Sequence, residues 1–244
     1  MPAVRLFAVF LLLCEASFAH AQTLVLLTEN LAPFNQSISG RNFAKNDGIT
    51  GISSDTLRAL CERARVECQQ ILRFPWERVY QQALKEPGYG LFSTARTPAR
   101  EKLFKWVGPI ATNDWVLMAR ADSPIQLDSL QGAAKYRIGG YKGDAISQYL
   151  IDRGLAVQTA LRDNKNVEKL AKGQIDLWVT ADPSGRYLAR QEGLDELKVV
   201  QRFNTAELYL ALNKDTPDEL VQQLQAALEA LRAEGQLRSI SERY

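Results

Sequence analysis

Ten residues in the first half of the chain, Ser93 to Lys102, read STARTPAREK and set two arginines, Arg96 and Arg100, around a Thr-Pro step. A guanidinium presents several donors in a planar fork that fits a carboxylate. Thr97 is a good N-cap and Pro98 a good first helical residue, so a helix is predicted to start at Pro98. Arg100 then falls in its first turn, where the helix dipole favours acidic residues over basic ones. A basic residue beside unpaired N–H groups suits a shared anion, here a carboxylate held by Arg100, the hydroxyls of Ser93 and Thr94, and backbone donors. The competing reading of the same spacing is an arginine paired with a nearby glutamate on the surface.

The only histidine is His20, inside an N-terminal stretch that reads as an export signal. Arg5 supplies the positive end, Phe7 to Leu13 an apolar core too short to span a bilayer, and Ala19-His20-Ala21 a small-residue cleavage pattern. The mature chain is expected to start at Gln22. Cys14 follows three leucines rather than small residues, which argues against lipid attachment there. Without histidine the mature protein has no Ser-His-Asp or Cys-His nucleophile and no His-based zinc site. Carboxylates, lysines and tyrosines remain, but no pair is spaced to announce acid–base work. Neither an enzyme, a metal site nor a cofactor is expected. A net charge of +2 with the signs well mixed offers no basic stripe for nucleic acid. No later segment approaches the ~18–20 consecutive apolar residues of a membrane span.

The elements around these residues alternate. Thr23 to Thr28, TLVLLT, reads as a buried strand, followed by a loop from Glu29 to Asn35. Leu57, Leu60, Cys61 and Ala64 keep helical spacing, giving a helix over Asp55–Ala64 with a serine cap. Cys68 to Phe74 reads as a strand and Trp76 to Leu84 as a helix. Beyond the arginines, strands are predicted at 136–140 and 175–180, and helices at 144–153 and 167–172. Leu220, Leu224, Leu228 and Leu231 line a helix that follows Thr216-Pro217, and Gly235 stops it. This alternation implies an α/β class with mainly parallel sheets. Cys61 and Cys68 are the two cysteines beyond the signal, and a disulfide is expected over two buried free thiols.

Five motifs in order give the chain a resemblance. GLFSTARTPAREKLFKWVGPI (90–110) resembles the signature of the extracytoplasmic, periplasmic solute-binding proteins of ABC importers, the polar amino-acid-binding family. GISSDTLRALCERARVEC is similar to that family's first helix with its Cys-x6-Cys disulfide, and FPWERVYQQAL to its second helix. IGGYKGDAISQYLIDRG matches its second-lobe loop and helix, KGQIDLWVTADP its GxxD strand, and GQLRSISERY its usual ending.

The resemblance implies a two-lobed periplasmic binding protein fold, with two mainly parallel sheets flanked by helices and joined by two hinge strands near 110–115 and 200–205. Signal residues 1–21 would precede lobe one (22–111), lobe two (112–203) and a C-terminal return to lobe one (204–244). A small polar ligand, an amino acid or similar carboxylate and ammonium compound, would sit in the interlobe cleft of a periplasmic monomer. Its partner would be an inner-membrane ABC permease or, alternatively, a chemoreceptor or sensor kinase in the membrane. A dehydratase-like enzyme on the same fold is the weaker alternative. By the same resemblance Arg100 clamps the ligand carboxylate, with Ser93 and Thr94 adding polar contacts. Arg96 either lines the cleft or forms an ion pair at its rim. Glu29, at a strand end that opens on the cleft, is a candidate for the ligand's cationic end, and Phe34 and Trp76 for apolar or cation-facing walls.

Two positions depart from the family pattern. Gly143-Asp144 stands where a hydroxyl residue is usual, and an Asp there repels a carboxylate unless it turns to cap its own helix. Asp182 comes one place later than the usual ammonium partner. Together with Glu29, these acids would favour a ligand richer in positive charge. Asp176 is assigned to structure.

Overall fold

The computed structural model describes residues 23–244. The export signal, its cleavage before Gln22, Cys14 and His20 lie outside the described residues.

The chain opens with β1 (Leu24–Thr28), β2 (Gln36–Ser37), β3 (Phe43–Lys45), β4 (Ile49–Thr50), α1 (Ile52–Ala64), β5 (Cys68–Arg73), α2 (Trp76–Lys85) and β6 (Tyr89–Ala95). The long β7 (Phe104–Arg120) leads to β8 (Ile138–Tyr141), α3 (Ala145–Ile151), β9 (Val157–Ala160), α4 (Asn164–Ala171), β10 (Leu177–Asp182) and α5 (Ser184–Gln191). An equally long β11 (Leu197–Asn213) returns to α6 (Asp218–Ala233) and α7 (Gln236–Ser241).

The fold is two-lobed α/β, and hydrogen bonding runs through both lobes in one nine-stranded sheet of order β3-β5-β1-β6-β11-β7-β10-β8-β9. In one lobe β5, β1 and β6 pair in parallel; in the other β10, β8 and β9 do. Between them β7 and β11 run antiparallel along 17 residues each, and they join the lobes. β6 pairs β11 over Leu208–Leu212, while β10 pairs β7 over Asp114–Met118, so the crossing lies at Ala111–Asn113 and Ala206–Leu208. On β11 this is later than residues 200–205, because Gln201 and Thr205 still face Leu117 and Asp114 in the second lobe.

Each lobe has its own apolar core. Leu57, Leu60 and Cys61 of α1 meet Leu224, Leu228 and Leu231 of α6 against β1 and β11, so the C-terminal helix packs on the first lobe. Ile146, Leu150, Leu177 and Val179 centre the second lobe.

Two local expectations are corrected and a third holds. α1 starts at Ile52 with Gly51 as N-cap and no side-chain cap, because Ser53 and Ser54 are buried within the first turn, where Ser54 Oγ donates to Gln70 Oε1 at 2.6 Å. Gly51 holds φ +125°, and a Cβ there would stand 2.5 Å from the Phe34 carbonyl oxygen, so only glycine fits. No α-helix starts at Pro98. The amides of Arg100 and Glu101 both donate to Thr97 O at 2.9 Å in a single turn, a 3₁₀ turn follows at Glu101–Leu103, and the buried Phe104 draws the chain into β7. A helix-start anion site is thereby ruled out here. Cys61 and Cys68 form the expected disulfide, with Cα atoms 6.1 Å apart.

Candidate functional site

The parallel strands of both lobes point their C-terminal ends at a shared cavity of about 540 Å³. That is where open α/β sheets place ligands, because loops and helix starts gather there. The first lobe contributes Glu29 after β1, Trp76 at the start of α2, Ser93 and Ala95 at the end of β6, and Arg100. The second contributes Tyr141 at the end of β8, Asp144 at the N-cap of α3, and Asp163 ahead of α4, with Asn113 and Trp115 of β7 on the wall.

Ser93 adopts φ +56°, an uncommon conformation for a residue with a side chain. A buried network holds it: Ser93 Oγ donates to Asn35 Oδ1, and Asn35 Nδ2 donates to Thr28 Oγ1 at 2.9 Å and to the Glu29 carbonyl. The network ties the loop after β1 to the end of β6, the two segments that carry Glu29 and lead to Arg100.

Arg100 donates to the carbonyls of Ala95 at 3.4 Å and Gly143 at 3.5 Å, both long bonds, and to no carboxylate among the described residues. Its guanidinium lies 5.2 Å from the Tyr80 ring centroid and 5.9 Å from that of Trp76. Aromatic faces position the charge without neutralising it. The arrangement keeps its strong donors available for an anion.

Opposite Arg100 the cavity is acidic. Asp144 turns to its own helix, its carboxylate accepting the Ile146 N–H at 3.2 Å. Burial raises its pKa, while the Arg100 charge and the helix amides pull it down. Glu29 Oε2 accepts the Tyr141 hydroxyl at 2.7 Å. Burial pushes Glu29 up to about 8, the bond from Tyr141 pulls against that, and the charges of Asp144 and Asp163 add to it. Asp163 accepts from Asn166 Nδ2 and Trp178 Nε1, both at 2.9 Å, yet burial pushes it up to about 7. Burial, and then the neighbouring Glu29, hold the Tyr141 phenol well above its usual range.

Of the residues predicted for the site, Arg100, Ser93, Glu29, Asp144 and Trp76 meet at the cavity. Four stand elsewhere. Phe34 is 3% exposed in the first-lobe core, because the turn between Leu31 and Asn35 tucks it inward. Thr94 is fully buried, its hydroxyl donating to Leu91 O at 3.1 Å, since alternate residues of β6 face opposite sides. Arg96 is engaged by Glu101. Asp182 pairs with Arg186 at 3.2 Å and Arg202 at 3.7 Å. Asp176 is structural, held by two bonds from the Arg137 side chain at 2.6 and 2.9 Å.

Sequence reasoning missed Tyr141, Asp163, Asn113 and Trp115. Tyr141 carried a signal, since it closes the strand IGGY at the end that opens on the cavity. Asp163 carried none; only the tertiary fold brings it beside Asp144.

Comparison with known proteins gives a consistent picture. A search of curated proteins by sequence finds no relative. Among solved structures, a histidine kinase sensor domain with similarity to periplasmic binding proteins superposes with a TM-score of 0.80 at 20% identity, covering 91% of this chain and 96% of that one. The arginine-, lysine-, histidine-binding protein ArtJ from Geobacillus stearothermophilus gives a TM-score of 0.76 at 16% identity, with 91% and 94% covered. An ancestral amino-acid-binding protein, a precursor of cyclohexadienyl dehydratase, gives 0.73 at 18% identity, with 91% and 95% covered. These likenesses show the fold. The profile of the bacterial extracellular solute-binding proteins, family 3, matches residues 31–244, and the chain belongs to that family.

Proposed function

We propose that the protein binds a small polar solute, an amino acid or a similar compound with carboxylate and ammonium groups, in the cavity between its lobes. The observation that carries this reading is Arg100, a guanidinium without a carboxylate partner among the described residues, facing an acidic wall across about 540 Å³. Arg100 takes the carboxylate, with Ser93 beside it, while Asp144 receives the cationic end, the Glu29 carboxyl adds an oxygen acceptor next to it, and Trp76 forms a wall. The solute-binding family and the amino-acid-binding proteins among the structural neighbours support the ligand class.

In this reading the lobes divide at the crossing, residues 22–111 and 208–244 forming one and 112–207 the other, so the boundary expected at 204 moves to 208, and closure is a rigid-body hinge motion around the solute. The separate cores and the two crossing strands support that division. The mature protein is a periplasmic monomer, cleaved before Gln22, that hands its solute to an ABC permease. A second reading, delivery of the closed state to a sensor kinase or chemoreceptor, is favoured by the likeness to a histidine kinase sensor domain. Turnover of the bound solute is the least supported reading, although one neighbour is a dehydratase precursor.

The test is a thermal-shift screen of the mature protein against amino acids, polyamines and small organic acids, repeated with Arg100→Ala. Stabilisation by carboxylate ligands that vanishes in the variant supports the reading. Equal stabilisation of both proteins sinks the clamp, and a screen positive only for dicarboxylates sinks the ammonium side.

A further inference from the structure

Tyr141 closes β8 in the second lobe and Glu29 follows β1 in the first, yet the Tyr141 hydroxyl donates to Glu29 Oε2 at 2.7 Å. The same hydroxyl accepts the Trp76 N–H at the start of α2 at 3.3 Å. Three elements from two lobes therefore meet at one phenolic oxygen. Parting the lobes breaks the Tyr141 bond and returns the Glu29 carboxyl to water.

The groups that act on this carboxyl decide what closing it in requires. From β8 comes the Tyr141 hydroxyl, from α2 the Trp76 amide, from the α3 cap Asp144, and from the segment before α4 Asp163. The two charged groups among them are both acidic. Two guanidinia, Arg100 and Arg162, also line the cavity, but neither is among the groups that act on this carboxyl, and Arg100 acts on Asp144 instead. Closure thus brings the first-lobe carboxyl against second-lobe acids with neutral hydrogen-bonding groups around it. A carboxylate in that setting is disfavoured, and a carboxylic acid, which both donates and accepts, fits.

We propose that the Glu29–Tyr141 contact is a proton-linked latch: the cleft closes with Glu29 protonated and neutral, taking up one proton from solvent that it releases on opening. The direction of the pKa agrees with this geometry. In the closed form burial lifts Glu29 from 4.5 to about 8. The closed state therefore holds the proton more tightly than an open, hydrated one. Closure is unpenalised below 4.5, weakens as pH rises above it, and loses the latch contribution as pH passes through about 8. A solute enclosed in the cavity binds the closed form, so its affinity inherits the same pH dependence; that consequence rests on the solute-binding reading, whereas the latch does not.

Small-angle scattering of the full, ligand-stripped protein from pH 5 to 9.5 tests it directly. The parent should be compact at low pH and expand as pH rises toward about 8, the closed-to-open ratio falling by up to about tenfold per pH unit between about 4.5 and 8 and levelling off above that, as one linked proton requires. Glu29→Gln, neutral at every pH and able to accept from Tyr141, should stay compact throughout. Tyr141→Phe should be expanded already near neutrality. A radius of gyration that ignores pH in the parent, whether compact or expanded, overturns the latch. So does a Glu29→Gln variant that keeps the parent's pH response. A solute screen at pH 6 separates the two readings: no ligand but pH-dependent compaction removes the solute, while a ligand with pH-independent compaction removes the latch.

Discussion

Arg96 donates Nε and Nη2 to the two carboxylate oxygens of Glu101 at 2.8 and 2.6 Å, and its guanidinium stands 5.6 Å from the Trp106 ring centroid and 5.5 Å from that of Tyr209. Two arginines four residues apart thus have opposite situations. Arg96 is satisfied at the surface by a forked ion pair between aromatic faces, while Arg100 reaches the cavity with only carbonyls to donate to.

Arg100→Ala should abolish stabilisation by a carboxylate ligand, and Arg96→Ala should leave it intact. A ligand at about a thousand times its Kd adds roughly 4 kcal/mol, or about 8–16 °C in Tm at this size. Differential scanning fluorimetry of both variants with the best ligand reads the difference, and an equal loss in both would show that the assignment of the two arginines is wrong.

Replacing Cys61 and Cys68 together by serine should cost about 2–3 kcal/mol, the value for closing so short a loop. Calorimetry should show Tm lower by roughly 5–10 °C. Reductant should lower the parent to the same extent and leave the double variant unchanged; a variant as stable as the parent contradicts the role of the bond as a staple between α1 and β5.

Gly51→Ala should destabilise more than Gly193→Ala. Both glycines have positive φ, at +125° and +76°, but a Cβ at Gly51 meets the Phe34 carbonyl at 2.5 Å and one at Gly193 meets nothing within 4 Å. Strain alone should cost about 1 kcal/mol at Gly193, and strain with the clash about 2–3 kcal/mol at Gly51. Urea unfolding measures both, and equal losses would discount the clash.

Asp163 should make stability depend on pH. Its pKa is raised from 3.8 to about 7, so its contribution is complete below 3.8 and is lost as pH rises through about 7. Asp163→Asn keeps acceptors for Asn166 and Trp178 and has no charge to bury. Its stability relative to the parent should grow with pH and level off above about 7, at a gain on the order of 4 kcal/mol. Urea midpoints that run parallel from pH 4 to 8.5 would remove the effect.

Much of the molecule was legible in local pattern. The α1 periodicity, the two cysteines, the strand before Glu29 and the Asp144 cap all depend on neighbours within a few residues, and each appears in place. The two 17-residue crossing strands did not read as such. β7 contains Gly108-Pro109 and Asn113-Asp114, and β11 carries Asn204, residues that locally suggest turns; pairing along their mutual length overrides that preference. The helix expected at Pro98 failed for a related reason, since the pull of Phe104 into the core outweighs a favourable cap. At the site, Glu29 was legible because strand ends face the cavity, and Arg100 through the likeness of its segment to the family signature, not through the helix start expected at Pro98. Asp163 and the partnership of Tyr141 with Glu29 join segments far apart in sequence, which no local pattern encodes.

The order of strands also governs how the molecule is assembled. β11 is the last strand made and the middle one of nine. Until its residues arrive, β6 lacks a neighbour on one side and β7 lacks its longest partner, so two central strands wait with open edges. Such edges recruit other chains. The nascent protein therefore cannot complete its sheet progressively from the N-terminus: the second lobe's outer strands can pair early, but the join between the lobes is the final seam. Truncation upstream of β11 should leave an aggregating chain instead of a smaller folded one.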